Sequence, residues 1–139
     1  MTRRLSHDYS AGPCHRSVAE SGCSARLLGE LLGVPWEEGG HFSPVYVNET
    51  LTLDFGSWEG FEPHHHCFHV SDREFDEIFA RIQAAGIKYR SLPQGPDDMT
   101  INTGYGGKDV YWQEPDGHIW EMLTVSYARP ASPAASSSA

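Results

Sequence analysis

Between Ser24 and Leu32 the residues Leu27, Leu28, Leu31 and Leu32 recur at helical spacing, and Gly33 is placed to end the helix. The pattern then changes to alternation. In 41–47, Val45 and Val47 oppose Phe42 and Tyr46; in 50–55, Leu51, Leu53 and Phe55 share one face. Asn48-Glu49 between them is short enough for a hairpin, without the favoured glycine.

A third strand is predicted over 64–70. Behind it, Ser71-Asp72-Arg73-Glu74 matches a capping box, with Ser71 as N-cap and Glu74 reaching back. The helix it opens, near 72–85, carries Phe75, Ile78, Phe79, Ile82 and Ala85 on one stripe and ends at Gly86. A short strand is expected over 87–90, then a loop over 91–107 rich in Gly, Pro, Asp and Asn. Strands over 109–113 and 119–125 are joined by Pro115-Asp116-Gly117, a strong turn signal. The order from His64 is strand, helix and three strands. The preceding half fits a strand, a helix and two or three strands, so two β-α-β-β-β units of about 60 residues describe the chain economically.

Length and composition suit one such domain. The chain has 139 residues, 39% of them hydrophobic, with four Trp, six Tyr and six Phe to fill a core. Ten Lys and Arg against 19 Asp and Glu give a net charge of −9, which argues against a phosphate-backbone partner. No nucleic-acid partner is expected. No apolar run approaches the roughly 18 residues that span a bilayer, and Met1-Thr2-Arg3-Arg4 has no apolar stretch behind it. No membrane partner is expected either. Cys14, Cys23 and Cys67 are odd in number with no CxxC spacing, so the expectation is free thiols in a reducing, cytoplasmic compartment. The segment 128–139 of Ala, Ser and Pro with one Arg cannot bury a face and is expected to be a disordered tail.

The candidate chemistry sits on two strands. In Pro63-His64-His65-His66-Cys67-Phe68-His69-Val70, the period of two puts His64, His66, Phe68 and Val70 on one face, under the helix. His65, Cys67 and His69 take the other. The run reads either as a polar edge of imidazoles or as a metal-binding strand, since neutral imidazole is the commonest protein ligand for Zn²⁺, Fe²⁺ and similar ions. Glu121 lies between Ile119 and Leu123 in a strand with a buried pattern. A carboxylate there costs several kcal/mol unless paired or metal-bound, by Arg90 or Arg129 in the first case.

At these residues the chain resembles a family. The strand 64–70 with its capped helix, then Val110-Tyr111-Trp112-Gln113-Glu114-Pro115-Asp116-Gly117-His118-Ile119-Trp120-Glu121, is similar to the second module of the vicinal-oxygen-chelate (VOC) superfamily. Glyoxalases, bleomycin-resistance proteins, extradiol dioxygenases and fosfomycin-resistance thiol transferases share that layout. The family's strand motif, His-aromatic-Ala-Phe, falls on His65-His66-Cys67-Phe68. Its turn, an acidic residue followed by Pro-Asp-Gly, falls on Glu114 to Gly117. The helix 24–33 resembles the first-module pattern Ser-Ala-x-Phe-Leu-x-x-Leu-Leu-Gly. The resemblance covers about residues 24–127.

It implies an α+β fold of two βαβββ modules, about 1–58 and 63–127, forming a curled mixed sheet around a cleft. It implies a divalent metal ion (Fe, Zn, Mn or Ni) on His65 and Glu121, with Glu121 and Tyr111 as catalytic residues and no further cofactor. It also implies a homodimer and a small-molecule substrate or ligand. The family's third ligand is a His after an opening Leu-x-His, which Leu5-Ser6-His7 matches. Counting back from Ser24 instead puts Pro13 at that place, with His15 two residues on, so His7 leads and His15 follows. A small buried filler is the expected role of Cys67, where the family has Ala. Two activities fit this frame. One is a metal-dependent enzyme chelating vicinal oxygens, whether lyase or isomerase, thiol transferase or dioxygenase. The other is a metal-free binder of an antibiotic or similar ligand, like the bleomycin-resistance members, using Trp36, Trp58, Tyr105 and Trp112.

Overall fold

The computed structural model describes residues 21–56 and 62–126. It falls into two compact units, Met1–Glu62 with Ile78–Ile87, and Pro63–Glu77 with Lys88–Ala139. The expected first strand and the tail over 128–139 lie outside the described residues.

In the first unit, helix α1 (Ser21–Leu32) is followed by the antiparallel pair β1 (Phe42–Tyr46) and β2 (Thr52–Gly56). The helix begins three residues before the Leu-rich stretch and buries Ala25, Leu28 and Leu31. At Gly29 an added Cβ would lie 2.6 Å from the Trp36 side chain, so the glycine is what lets that indole rest on the helix. The strand alternation holds: Val45 is fully buried while Phe42 and Tyr46 are 47% and 38% exposed. The hairpin needs no glycine because Asn48 Oδ1 accepts from the backbone N–H groups of Thr50 and Leu51, an Asx-type turn.

Strand β3 (His65–His69) opens the second unit and leads into α2 (Asp72–Ala84), which runs across both units. The capping box forms as read: Glu74 N–H donates to Ser71 Oγ at 3.2 Å, and Ser71 N–H donates to Glu74 Oε2 at 2.8 Å. Phe75, Ile78 and Ile82 are the buried stripe, each contributing about 1.5–3 kcal/mol by area removed from water. Strand β4 (Tyr89–Arg90) is shorter than expected because the Ile87 N–H still bonds back to the Ile82 carbonyl, which keeps Ile87 in the helix cap.

Strands β5 (Asp109–Gln113) and β6 (Ile119–Leu123) form the hairpin that Pro115-Asp116-Gly117 predicts, with Gly117 at φ 94°. The sheet order is β3-β6-β5-β4. β6 is central, parallel to β3 and antiparallel to β5. Both hairpin strands are almost wholly buried, including Val110, Trp112, Trp120 and Met122. Strand, helix and three strands thus follow in the expected order over 64–125.

The reading of all three cysteines as free thiols is corrected: Cys23 is disulfide-bonded. An odd count excludes a fully paired set but not one bridge with one cysteine left over, and Cys67 is the free one among the described residues. The argument from thiols to a reducing compartment falls with it. No helix among the described residues is long and apolar enough to cross a membrane.

Candidate metal centre

The register of the second sheet brings together residues far apart in the chain. Cys67 pairs with Glu121 across β3 and β6, Glu121 with Tyr111 across β6 and β5, and Tyr111 with Arg90 across β5 and β4. Paired residues share a face, as do residues two apart on a strand. His65, Cys67, Glu121, Tyr111, Asp109 and Arg90 therefore occupy one face of the sheet.

On that face His65 Nε2 lies 2.8 Å from Glu121 Oε2. The Tyr111 and His65 rings meet in a T-shaped arrangement, centroids 5.8 Å apart. Tyr111 O–H donates to Asp109 Oδ2 at 3.0 Å. Glu121 is fully buried and its Oε1 has no hydrogen-bond partner. The Arg90 pairing left open by the sequence does not occur: Arg90 reaches Asp97 at 3.4 Å, while Glu121 takes His65. Arg129 lies outside the described residues.

The run of histidines divides between faces. His64 and His66 lie opposite His65, with His66 stacked on Trp120 at 4.9 Å and His64 stacked on His118 at 6.1 Å. Burial, and then the neighbouring imidazoles, lower the pKa of His66. Glu114, 5% exposed, starts the turn on this side, and burial followed by the charge of Asp116 pushes it up to about 7.

Asp109 escaped the sequence reading. It is 4% exposed, its Oδ1 has no partner, and burial followed by the Glu121 charge pushes its carboxyl up to about 6. The available signal was its position two residues before Tyr111, in phase with it. Tyr111 itself is 6% exposed, and burial first, then Glu121 and Asp109, raise its pKa so that the phenol keeps its proton. Cys67 corrects an expectation. It keeps surface exposure and is no buried filler, because β3 is the edge of its sheet among the described residues. What burial it has, together with the charge of Glu121, still pushes the thiol up to about 12, so it stays a poor nucleophile.

Among the described residues, no group of three or more His, Cys, Asp or Glu is arranged to hold a metal ion. His65 and Glu121 stand as a pair, and His7 and His15 lie outside the described residues. The donor set still suits a divalent ion: an imidazole nitrogen beside a buried carboxylate whose second oxygen has no partner.

The chain is 39% identical to the solved Oxidase ChaP-H1, covering 81% of this chain and 92% of that chain, with a TM-score of 0.73. To Oxidase ChaP-H2 it is 34% identical, covering 82% of this chain and 91% of that one, with a TM-score of 0.74. The fosfomycin resistance protein FosX from Mesorhizobium loti, 18% identical over 75% of this chain and 81% of that chain, shares the fold with a TM-score of 0.54. No family model matches the chain, and no curated protein does.

Proposed function

Because the chain belongs to the vicinal-oxygen-chelate superfamily, we propose that it is a metal-dependent enzyme acting on a small molecule by bidentate chelation of two vicinal oxygens. The observation that carries this reading is Glu121, a fully buried carboxylate with one oxygen on His65 and the other unpartnered. An unmet buried oxygen costs about 1–3 kcal/mol, and at Glu121 that oxygen belongs to a carboxylate held against an imidazole on the same sheet face. The proposed ligands are His65 and Glu121, with His7, on the strand expected near 4–9, as the third and His15 as its rival. A divalent ion held there supplies Lewis-acid stabilisation for negative charge developing on two adjacent substrate oxygens.

The chain's own residues do the rest. Glu121 Oε1, without a protein partner, is the atom that takes the proton of a chelating substrate hydroxyl. Tyr111, T-shaped against His65, orients the substrate. We read the reaction class as oxidation with dioxygen as the electron acceptor, because the relatives at 39% and 34% identity are named oxidases. The proposed assembly is a homodimer, tested by the solution mass from light scattering; a mass of one chain at micromolar concentration counts against it.

The functional test is metal content after chelator treatment and dialysis against Fe²⁺, Zn²⁺, Mn²⁺ or Ni²⁺. Wild type is expected to retain an ion, and His65→Ala and Glu121→Ala to lose it. Weakening by His7→Ala alone supports the first-strand choice, and weakening by His15→Ala alone reverses it. A wild type that binds none of the four ions sinks the proposal and leaves a metal-free binding protein as the better reading.

A further inference from the structure

We propose that Asp109 fixes the hydrogen-bond polarity of Tyr111, so that its phenol oxygen acts as an acceptor selecting ligands with a hydroxyl donor beside their chelating oxygens. This rests on the chelating role proposed above and adds a substrate class to it. The case begins with donor counting. A phenol has one hydrogen to give, and an ionised carboxylate has none. At 3.0 Å, with both residues buried, that hydrogen belongs to Asp109 Oδ2. What the Tyr111 oxygen has left is lone-pair capacity. The ring carrying it meets His65 in the same T-shaped arrangement, and its strand partner is Glu121. Any ligand atom beside that pair and touching Tyr111 therefore meets an acceptor. A hydroxyl satisfies it, while an ether or carbonyl oxygen faces it lone pair to lone pair.

The strand does not need the Asp109 side chain. Its backbone N–H donates to Asn102 O at 2.9 Å, and its carbonyl accepts from the Asn102 N–H at 2.8 Å. A carboxylate spent on a neighbouring phenol, with its second oxygen left unpartnered, fits the control of that phenol better than support of the backbone. Asp109 is thus a positioning residue and Tyr111 the group that touches the ligand.

The probes are pyrogallol and 3-methoxycatechol. Both offer two vicinal hydroxyls, and they differ in whether the third oxygen can donate. Dissociation constants would be measured by calorimetry on Zn²⁺-loaded and on chelator-stripped protein, for wild type, Asp109→Asn, Asp109→Leu and Tyr111→Phe. Wild type is expected to prefer pyrogallol by roughly tenfold over the ratio seen in Tyr111→Phe, which serves as the baseline. Asp109→Asn should keep the preference, because the amide oxygen also accepts from the phenol. Asp109→Leu frees the phenol hydrogen to donate to the methoxy oxygen, so the preference should vanish or reverse. A merely structural role would weaken both probes together and leave their ratio alone.

An unchanged ratio in Asp109→Leu, or none in wild type, overturns the proposal. A ratio that behaves as expected while affinity is the same with and without Zn²⁺ upholds Asp109 and removes the chelation reading. A ligand-free readout covers weak probe binding or a misfolded variant. The tyrosine Fermi doublet in the ultraviolet Raman difference, wild type minus Tyr111→Phe, should report a hydrogen-bond donor, and a non-donor signature there also overturns the proposal.

Discussion

Replacing Glu121 by Met should make the metal-free protein more stable and the metal-supplied protein less stable than wild type. Met keeps the length of the side chain and removes a charge that is fully buried. It also removes Oε1, the oxygen without a partner. The partner left behind, His65, has a side chain 40% exposed, so water can take over its lost hydrogen bond. Exchanging a whole buried ion pair for apolar groups of similar volume is neutral or stabilising by about 1–4 kcal/mol, and removing one partner is costly only where it strands the other in a buried site, which His65 does not occupy. A gain of about 1–3 kcal/mol is expected here, because His65 was only a partly buried partner. For a chain of this size each kcal/mol moves Tm by about 3–5 °C. Metal at about 1,000 times its Kd adds about 4.1 kcal/mol to wild type through mass action and nothing to a variant that cannot bind it. The two proteins should therefore exchange rank when metal is added. The assay is thermal and urea unfolding of both, in chelator and in excess Zn²⁺ or Mn²⁺. A metal-free variant less stable than wild type by about 2 kcal/mol would refute the reasoning, because it would mean that Glu121 is a satisfied structural acid.

Metal content should fall in His65→Ala and hold in His64→Ala and His66→Ala, since only His65 shares the face of Glu121; the reverse pattern in elemental analysis would mean a one-residue error in register. Glu114, raised from the usual 4.5 to about 7, binds a proton more readily folded than unfolded. Wild-type stability should therefore fall as pH rises from about 4.5 to about 7, by roughly 3 kcal/mol in all, and Glu114→Gln should flatten that slope in urea melts across the window. Phe75→Ala, emptying a fully buried site on α2, should cost about 3–5 kcal/mol, read from the urea midpoint. Ser71→Ala should cost about 1 kcal/mol through the lost cap, and an unchanged midpoint would mean the capping box is not formed in solution.

The parts of the fold that were legible are those whose causes are local. Ser71 and Glu74 bond each other within four residues, Gly117 meets a turn's backbone requirement, and period-two alternation assigned His65 and His66 to opposite faces. The three-residue early start of α1 was hidden because Ser21, Gly22 and Cys23 carry no apolar period. The Cys23 bridge escaped because parity counts cysteines without locating them. At the site, Glu121 was legible as an acid between aliphatic neighbours, and Tyr111 through the family motif. Asp109 was not, because an Asp at a strand start reads as solvated. What buries it is an environment assembled from β6, which arrives from elsewhere in the sequence. Glu114 was likewise read only as the first residue of a turn, and its burial is a tertiary effect.

The central place of β6 has a consequence for how the protein is made. His65 and Glu121 are 56 residues apart in the chain, and they meet only through the parallel β3–β6 pairing. β6 is also the last strand of its sheet in sequence, yet it sits between β3 and β5. Among the described residues β3 therefore has no sheet partner until β6 leaves the ribosome. Non-local pairing of this kind closes slowly. The dyad is thus a late product of folding, and the proposed ion would meet it only once the β3–β6 pairing has closed.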